Sequence, residues 1–144
     1  MLLSKKHLFV KRSLLPHAGK GLFTKVFIAK ETRVVEYTGR ITTWKNVLQS
    51  EEFNAYVFYI NRNHVIEAKN HLSSLGRYTN DANGIFKIKG LVNNTKYVND
   101  KGRVFIQAIK DIPAGSEIFV SYRKEYWDVV RYNNMLRKRQ RKKP

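Results

Sequence analysis

Short runs of β-branched, aromatic and aliphatic residues recur along this chain, and most of them are four to six residues long. Glycine, proline, asparagine and aspartate separate the runs, as turns separate strands. The pattern predicts strands at residues 8–10, 21–24, 33–37, 56–60, 65–68, 97–98, 104–108 and 117–122. We therefore expect a mostly β domain, in the β-rich α+β class.

Two tight turns and two helices complete the predicted elements. The Asn-Asp-Lys-Gly sequence at 99–102 is typical of a hairpin, and Ile-Pro-Ala-Gly at 112–115 of a tight corner. Helical spacing of apolar residues occurs at 43–53, where Trp44, Val47 and Leu48 share one side, and from 125 to about 139. The sequence thus predicts one small internal helix and one C-terminal helix.

The chain length and the charge distribution suggest one domain and a basic tail. A chain of 144 residues suffices for one hydrophobic core, and we assign residues 1–130 to it and 131–144 to a basic C-terminal helix or tail. The tail holds seven of the 28 Lys and Arg residues and no acid, so residues 1–130 still carry +10 of the +17 net charge. Such a field favours acidic partners, nucleic acid among them, although a solvated tail explains residues 131–144 equally well.

The composition excludes several kinds of chemistry. The chain has no cysteine, and its four histidines show neither HxxxH nor HExxH spacing, so we expect no disulfide, no thiolate nucleophile and no metal. No apolar run reaches the ~20 residues that span a bilayer, and residues 1–6 lack a signal-peptide core. We expect no membrane partner and an unexported protein, cytoplasmic in a prokaryote and nuclear or cytoplasmic in a eukaryote or virus.

Two early segments place glycine and tyrosine where strands begin or end. His-Ala-Gly-Lys-Gly at 17–21 has two glycines one residue apart before a strand, which lets the backbone approach a ligand closely. An ordinary glycine turn explains the same pattern, and the spacing is not that of a phosphate loop. Glu-Tyr-Thr-Gly at 36–39 ends a strand, and packing of the ring is the default role for its tyrosine.

Two later segments follow these in order. Leu-Gly-Arg-Tyr-Thr-Asn-Asp-Ala at 75–82 reads as a turn, in which an Asx turn would satisfy Asn80 and Asp81. The stretch 109–122 reads Ile-Lys-Asp-Ile-Pro-Ala-Gly-Ser-Glu-Ile-Phe-Val-Ser-Tyr. Together the four segments resemble the SET-domain protein lysine methyltransferases, whose marks are a GxG turn, E-Y-x-G, R-[FY]-x-N-H-[SC] and D-I-x-x-G-E-E-L-x-x-x-Y. The resemblance covers residues 17–127 and is to compact viral and bacterial members, which lack zinc-binding flanks.

The resemblance implies a fold, a cofactor and a substrate. The fold is one of small sheets, in which the late segment passes through a loop as a pseudoknot, with a C-terminal helix. The cofactor is S-adenosyl-L-methionine, and the implied contacts to it come from Ala18, Gly19, Lys20, Tyr56, Asn80, Asp81 and Trp127. The substrate is a protein with a target lysine, a histone or histone-like protein among those to consider, and the enzyme would be a monomer or a homodimer.

The resemblance also implies which residues act on the lysine. Tyr122 matches the catalytic tyrosine, and Tyr37 matches the tyrosine that holds the lysine amine. Tyr97 and Val120 would lie along the substrate channel, where side-chain size limits the number of methyl groups. A tube of aromatic side chains suits this reaction because burial lowers the pKa of an amine, which is ~10.4 in water, and methyl transfer requires the neutral amine.

Several positions depart from the family pattern. Asp81 stands where histidine is usual, Ser121 where aspartate is common, and Arg123 where glycine is usual. Val120 is smaller than the Phe or Tyr that often sets the number of methyl groups. The departures keep a second hypothesis open, a catalytically impaired SET-like module that binds nucleic acid or an acidic partner. A third hypothesis is a small basic β-domain unrelated to the family.

Overall fold

A computed structural model describes residues 2–49, 57–68, 73–84 and 87–122, and within these ranges most of the regular structure is β. The strands are β1 (Leu8–Arg12), β2 (Lys20–Thr24), β3 (Arg33–Tyr37), β4 (Arg40–Thr42), β5 (Val57–Asn61), β6 (His64–Glu67), β7 (Thr95–Asp100), β8 (Arg103–Ala108) and β9 (Glu117–Ile118). A helix, α1 (Trp44–Gln49), and two 3₁₀ turns, Lys5–His7 and Leu75–Tyr78, accompany them. The expected mostly β fold is confirmed.

The strands form three small antiparallel sheets. Their orders are β1-β2-β9, β3-β8-β7 and β4-β6-β5. In the second sheet Tyr37 lies opposite Val104, and Tyr97 lies opposite Ile106 on the other side of β8. The strands that carry these two tyrosines, β3 and β7, therefore pair with opposite edges of β8.

One apolar core joins the sheets, and a smaller one lies beside it. Leu22, Val34, Val104, Ile106 and Ile118 in the main core are inaccessible to solvent. The smaller core consists of Leu15, Ala82 and Phe119, with Ala18 and Leu91 packed against it. It brings the glycine-rich loop, the segment after Asn80 and the segment after β9 together.

Both predicted turns are confirmed, and each uses left-handed backbone. Lys101 and Gly102 have φ of 53° and 88°, as a two-residue type I′ hairpin loop between β7 and β8 requires. At the corner, the Ser116 amide donates to the Pro113 carbonyl at 3.2 Å, and Gly115 takes φ of 86°. Glycine occupies the position where a side chain would be strained.

The predicted strand at 117–122 is wrong beyond Ile118. Strand β9 ends there because the next residues form hydrogen bonds with a different part of the chain. The Phe119 amide donates to the Asn94 side chain at 2.8 Å, and the Phe119 carbonyl accepts from the Thr95 amide at 3.0 Å. Strand β4 (Arg40–Thr42), which the sequence did not predict, pairs with β6.

The internal helix begins at Trp44, one residue after its predicted start, and is described to Gln49. Its predicted continuation to 53 lies outside the described residues, as do the predicted C-terminal helix and the tail at 131–144. In the parts of the chain that the structure describes, no helix has the length and hydrophobicity that a membrane crossing requires.

Candidate active site

Tyr122 is attached at both ends to the turn that contains Asn80. Its hydroxyl donates to the Thr79 carbonyl at 2.7 Å, and its backbone amide donates to the Asp81 carboxylate at 2.9 Å. These contacts join residues more than 40 positions apart in the chain. The predicted catalytic tyrosine and the predicted cofactor-binding turn are therefore neighbours.

The segment that leads to Tyr122 passes between two other segments. The Val120 amide donates to the Asn80 carbonyl at 2.9 Å on one side. On the other side, the Thr95 hydroxyl donates to the Phe119 carbonyl at 2.7 Å. Parallel bridges pair Asn80 with Phe119 and Thr95 with Val120. This interposition of a late segment is what the expected pseudoknot requires.

The glycine-rich loop is tied to the same turn. The Asn80 side-chain amide donates to the Lys20 carbonyl at 3.0 Å, and the Ser13 amide donates to the Gly19 carbonyl at 2.8 Å. Gly19 has φ of 69°, and no atom lies within 4 Å of the place where its Cβ would be. Open space beside fixed backbone is what a ligand lying along residues 18–20 needs, and the exposed side chain of Lys20 adds a positive charge.

Glu117 is a buried acid that was not among the predicted site residues. It is 2% exposed, and it accepts from the Ser13 hydroxyl at 2.7 Å, the Leu14 amide at 2.8 Å and the Asn80 side chain at 3.4 Å. The carboxylate thus joins the start of the glycine-rich loop to Asn80. The sequence did contain a signal for this role, because Glu117 stands at the position of the second glutamate in the D-I-x-x-G-E-E-L pattern.

Three aromatic rings form a second group. Phe58 lies 4.5 Å from Tyr97 and 6.2 Å from Tyr37 between ring centroids, and the two tyrosine rings are 6.1 Å apart at 88°. Tyr37 is buried and Tyr97 is half-buried. Phe58 was not among the predicted site residues, although it lies two residues after the predicted cofactor contact Tyr56. The structure therefore brings both predicted channel tyrosines into contact distance.

The aromatic group adjoins the Tyr122 group through two connections. A Cβ at Gly76 would lie 3.3 Å from the Cα of Tyr37, and Gly76 belongs to the 3₁₀ turn that ends next to Thr79. On the other side, Tyr97 is two residues after Thr95, so both point to the same face of β7, and Thr95 bridges to Val120. Val120 itself is fully buried.

Two predicted cofactor contacts, Tyr56 and Trp127, lie outside the described residues, as does Arg123.

An exposed ion pair flanks Tyr37 on strand β3. Arg103 donates to Glu36 at 2.6 Å, and this hydrogen bond, together with the attraction of the carboxylate, raises the pKa of Arg103 above its usual value. The pair connects β3 to β8 next to the aromatic group.

Comparison with known proteins gives consistent matches. The sequence model of the SET domain matches residues 19–123. The histone-lysine N-methyltransferase EZH2 of Chaetomium thermophilum is 29% identical over 128 residues, which cover 81% of this chain and 8% of that protein. The methyltransferase domain of human PR domain-containing protein 2 has a similar fold, with a TM-score of 0.60 at 20% identity, over 84% of this chain and 79% of that one.

Proposed function

This chain belongs to the SET-domain family, and we propose that it is a protein-lysine N-methyltransferase that uses S-adenosyl-L-methionine. The observation that carries the proposal is the hydrogen bond of 2.7 Å from the Tyr122 hydroxyl to the carbonyl of Thr79. It holds the tyrosine ring beside the turn of Asn80, where a methyl donor and a lysine would have to meet. A small basic β-domain unrelated to the family has no need of this arrangement.

The proposed binding roles follow the two groups of the site. Ala18, Gly19 and Lys20 form the wall along the cofactor, and Asn80 and Asp81 form the turn that faces it, with Tyr56 and Trp127 as further contacts. The open space at Gly19 supports this assignment, as does the bond that fixes the Lys20 carbonyl to Asn80. When bound, the cofactor supplies an electrophilic methyl group on a positively charged sulfur.

The chain's own residues prepare the lysine. In the proposed channel, the rings of Tyr37, Phe58 and Tyr97 replace water around the amine, and this desolvation lowers its pKa from ~10.4 so that it can lose its proton. The hydroxyls of Tyr122 and Tyr37 orient the neutral nitrogen without a carboxylate that would keep it protonated. Tyr97 and Val120 limit the space for methyl groups already on the nitrogen.

The substrate and the organisation of the chain complete the proposal. The substrate is a lysine side chain of a protein, and the enzyme acts as a monomer or homodimer. Residues 1–130 form the catalytic domain, and the basic segment 131–144 adds contacts to an acidic partner or to nucleic acid. The matched part of EZH2 is a small share of that protein, so the proposal concerns methyl transfer and not the other activities of such a protein.

Two measurements test the function. Calorimetry with S-adenosyl-L-methionine measures cofactor binding, and incubation with the radiolabelled cofactor and mixed protein substrates measures transfer, with mass spectrometry to locate the modified lysines. We expect binding and label on lysine, and we expect Tyr122→Phe to lose transfer while it still binds the cofactor. Tyr59→Phe is the matched control, because it also removes one tyrosine hydroxyl. Tyr59 lies on β5 in the β4-β6-β5 sheet, and its ring packs against the ring of Trp44.

The alternative function predicts different data. A catalytically impaired binding module would show no calorimetric signal with the cofactor and no label transfer. It would bind nucleic acid or an acidic protein with an affinity that falls steeply with salt. That combination would overturn the methyltransferase proposal.

A further inference from the structure

Asp81 stands where the family pattern has histidine, and both oxygens of its carboxylate accept hydrogen bonds from the protein. One oxygen accepts from the backbone amide of Tyr122 at 2.9 Å. The other accepts from the backbone amide of Asn83 at 2.8 Å and from the side chain of Asn93 at 2.9 Å. With 7% of its surface exposed, Asp81 is a buried acid engaged on both sides.

Asn93 orients this carboxylate. Its side-chain oxygen accepts from the Ala82 amide at 2.8 Å, so its NH₂ group must face Asp81. A flipped amide would place donor against donor at Ala82. Asn93 thus holds the backbone next to Asp81 and the Asp81 carboxylate at the same time, so the carboxylate is oriented by contacts other than its contact with Tyr122.

The hydrogen bond from the Tyr122 amide to Asp81 fixes the backbone of Tyr122 at the position that carries the ring. The hydroxyl end of the ring is held by the carbonyl of Thr79, and the backbone end is held by Asp81, two residues farther along the same turn. A ring fixed at both ends from one turn has a defined position relative to that turn. Without the carboxylate, the backbone amide of Tyr122 loses its hydrogen bond to Asp81.

On this geometry we propose that Asp81 is a positioning residue for the reaction, which acts through Tyr122. The inference rests on the proposed function, and it replaces direct cofactor contact as the main role of the Asp81 side chain. The backbone of Asp81 remains part of the turn that faces the cofactor. Asn93, for which the sequence indicated no role, supports the same carboxylate.

The test compares Asp81→Ala with Asp81→Asn in steady-state transfer assays and in calorimetry with S-adenosyl-L-methionine. Asp81→Ala should lower kcat roughly 10- to 100-fold, the effect expected for a displacement of about 1 Å, while the KM for the protein substrate and the cofactor Kd change by less than about 3-fold. Asp81→Asn keeps the shape of the side chain but only one oxygen acceptor, which the two donors of Asn83 and Asn93 hold on their side. Its NH₂ group then faces the Tyr122 amide, so this variant should lower kcat as well. Asn83→Ala is the control expected to keep the wild-type kcat, because Asn83 contributes only its backbone amide to the contact.

Hydrogen exchange at the Tyr122 amide, followed by nuclear magnetic resonance, gives a readout that does not depend on activity. It should be slow in the wild type and at least ~10-fold faster in Asp81→Ala. If Asp81→Ala does not fold, Asp81→Asn and Asn93→Ala decide, and both should lower kcat with little change in cofactor affinity. An active wild type whose Asp81 variants keep kcat, or lose only cofactor affinity, overturns the positioning role alone. A wild type that binds no cofactor and transfers no label overturns the proposed function and the inference with it.

Discussion

The carboxylate of Glu117 occupies the space that a side chain at position 21 would need. A Cβ added to Gly21 would overlap the Glu117 carboxylate and would lie 3.3 Å from the Cα of Ser13. Glycine is thus required at position 21, the second glycine of the glycine-rich loop, because the buried carboxylate of Glu117, far along the chain, fills the space beside it. This requirement is distinct from that at Gly19, which has open space beside it and a positive φ.

Gly21→Ala should therefore destabilise the protein. We expect the free energy of unfolding to fall by about 1–3 kcal/mol, the range for overpacking of a filled site. Urea denaturation measures it. Glu117→Ala combined with Gly21→Ala should cost less than the sum of the two single variants, because truncation of the acid removes the overlap. Strict additivity would show that the two side chains do not compete for this space.

Glu117→Ala alone should be more damaging than Glu117→Gln. The alanine leaves the Ser13 hydroxyl and the Leu14 amide without their acceptor, at about 1–3 kcal/mol for each buried group that remains unpaired. Glutamine keeps one oxygen acceptor and the same shape. Thermal unfolding followed by circular dichroism ranks the variants, and equal melting temperatures for the two would contradict the role of these hydrogen bonds.

Tyr97→Phe should change how many methyl groups are added. The substitution removes one hydroxyl from the group of three rings and leaves the 4.5 Å packing of Phe58 against the ring in place. The freed space favours a more highly methylated lysine. Mass spectrometry of the product measures the ratio of mono-, di- and trimethyllysine, with Tyr59→Phe as control. An unchanged ratio would remove Tyr97 from the proposed channel.

Lys101→Asn should stabilise the protein without affecting transfer. Lys101 has φ of 53° in a type I′ turn, and asparagine tolerates this conformation better than lysine does. We expect a gain of up to about 1 kcal/mol in the free energy of unfolding, since left-handed backbone costs an ordinary residue roughly 1–2 kcal/mol. Gly102→Ala should have the opposite effect, because its φ is 88° and its Cβ would lie 3.0 Å from the His64 ring. Urea denaturation of both variants tests the turn type.

Local patterns determined much of the fold. Alternation of apolar residues placed most strands to within about two residues, and the Asn-Asp-Lys-Gly sequence specified the hairpin, since both signals depend on neighbours in the chain. The order of four short motifs was enough to indicate the family, and it selected the tyrosines and the turn that the structure brings together. Each of these features is a property of a few consecutive residues.

The three-dimensional structure alone decided which groups contact one another across the chain. The residues after Ile118 have the composition of a strand, but the side chain of Asn94 and the backbone of Thr95 take their hydrogen bonds, so they leave the sheet. Asp81 looked like half of an Asx turn, and the Asn83 amide makes that local contact, but only the tertiary structure brings the Asn93 side chain and the Tyr122 amide, 41 residues away, to the same carboxylate. Such contacts form between chain segments that are distant in sequence and that only folding brings together. For this reason, no local sequence pattern predicts them.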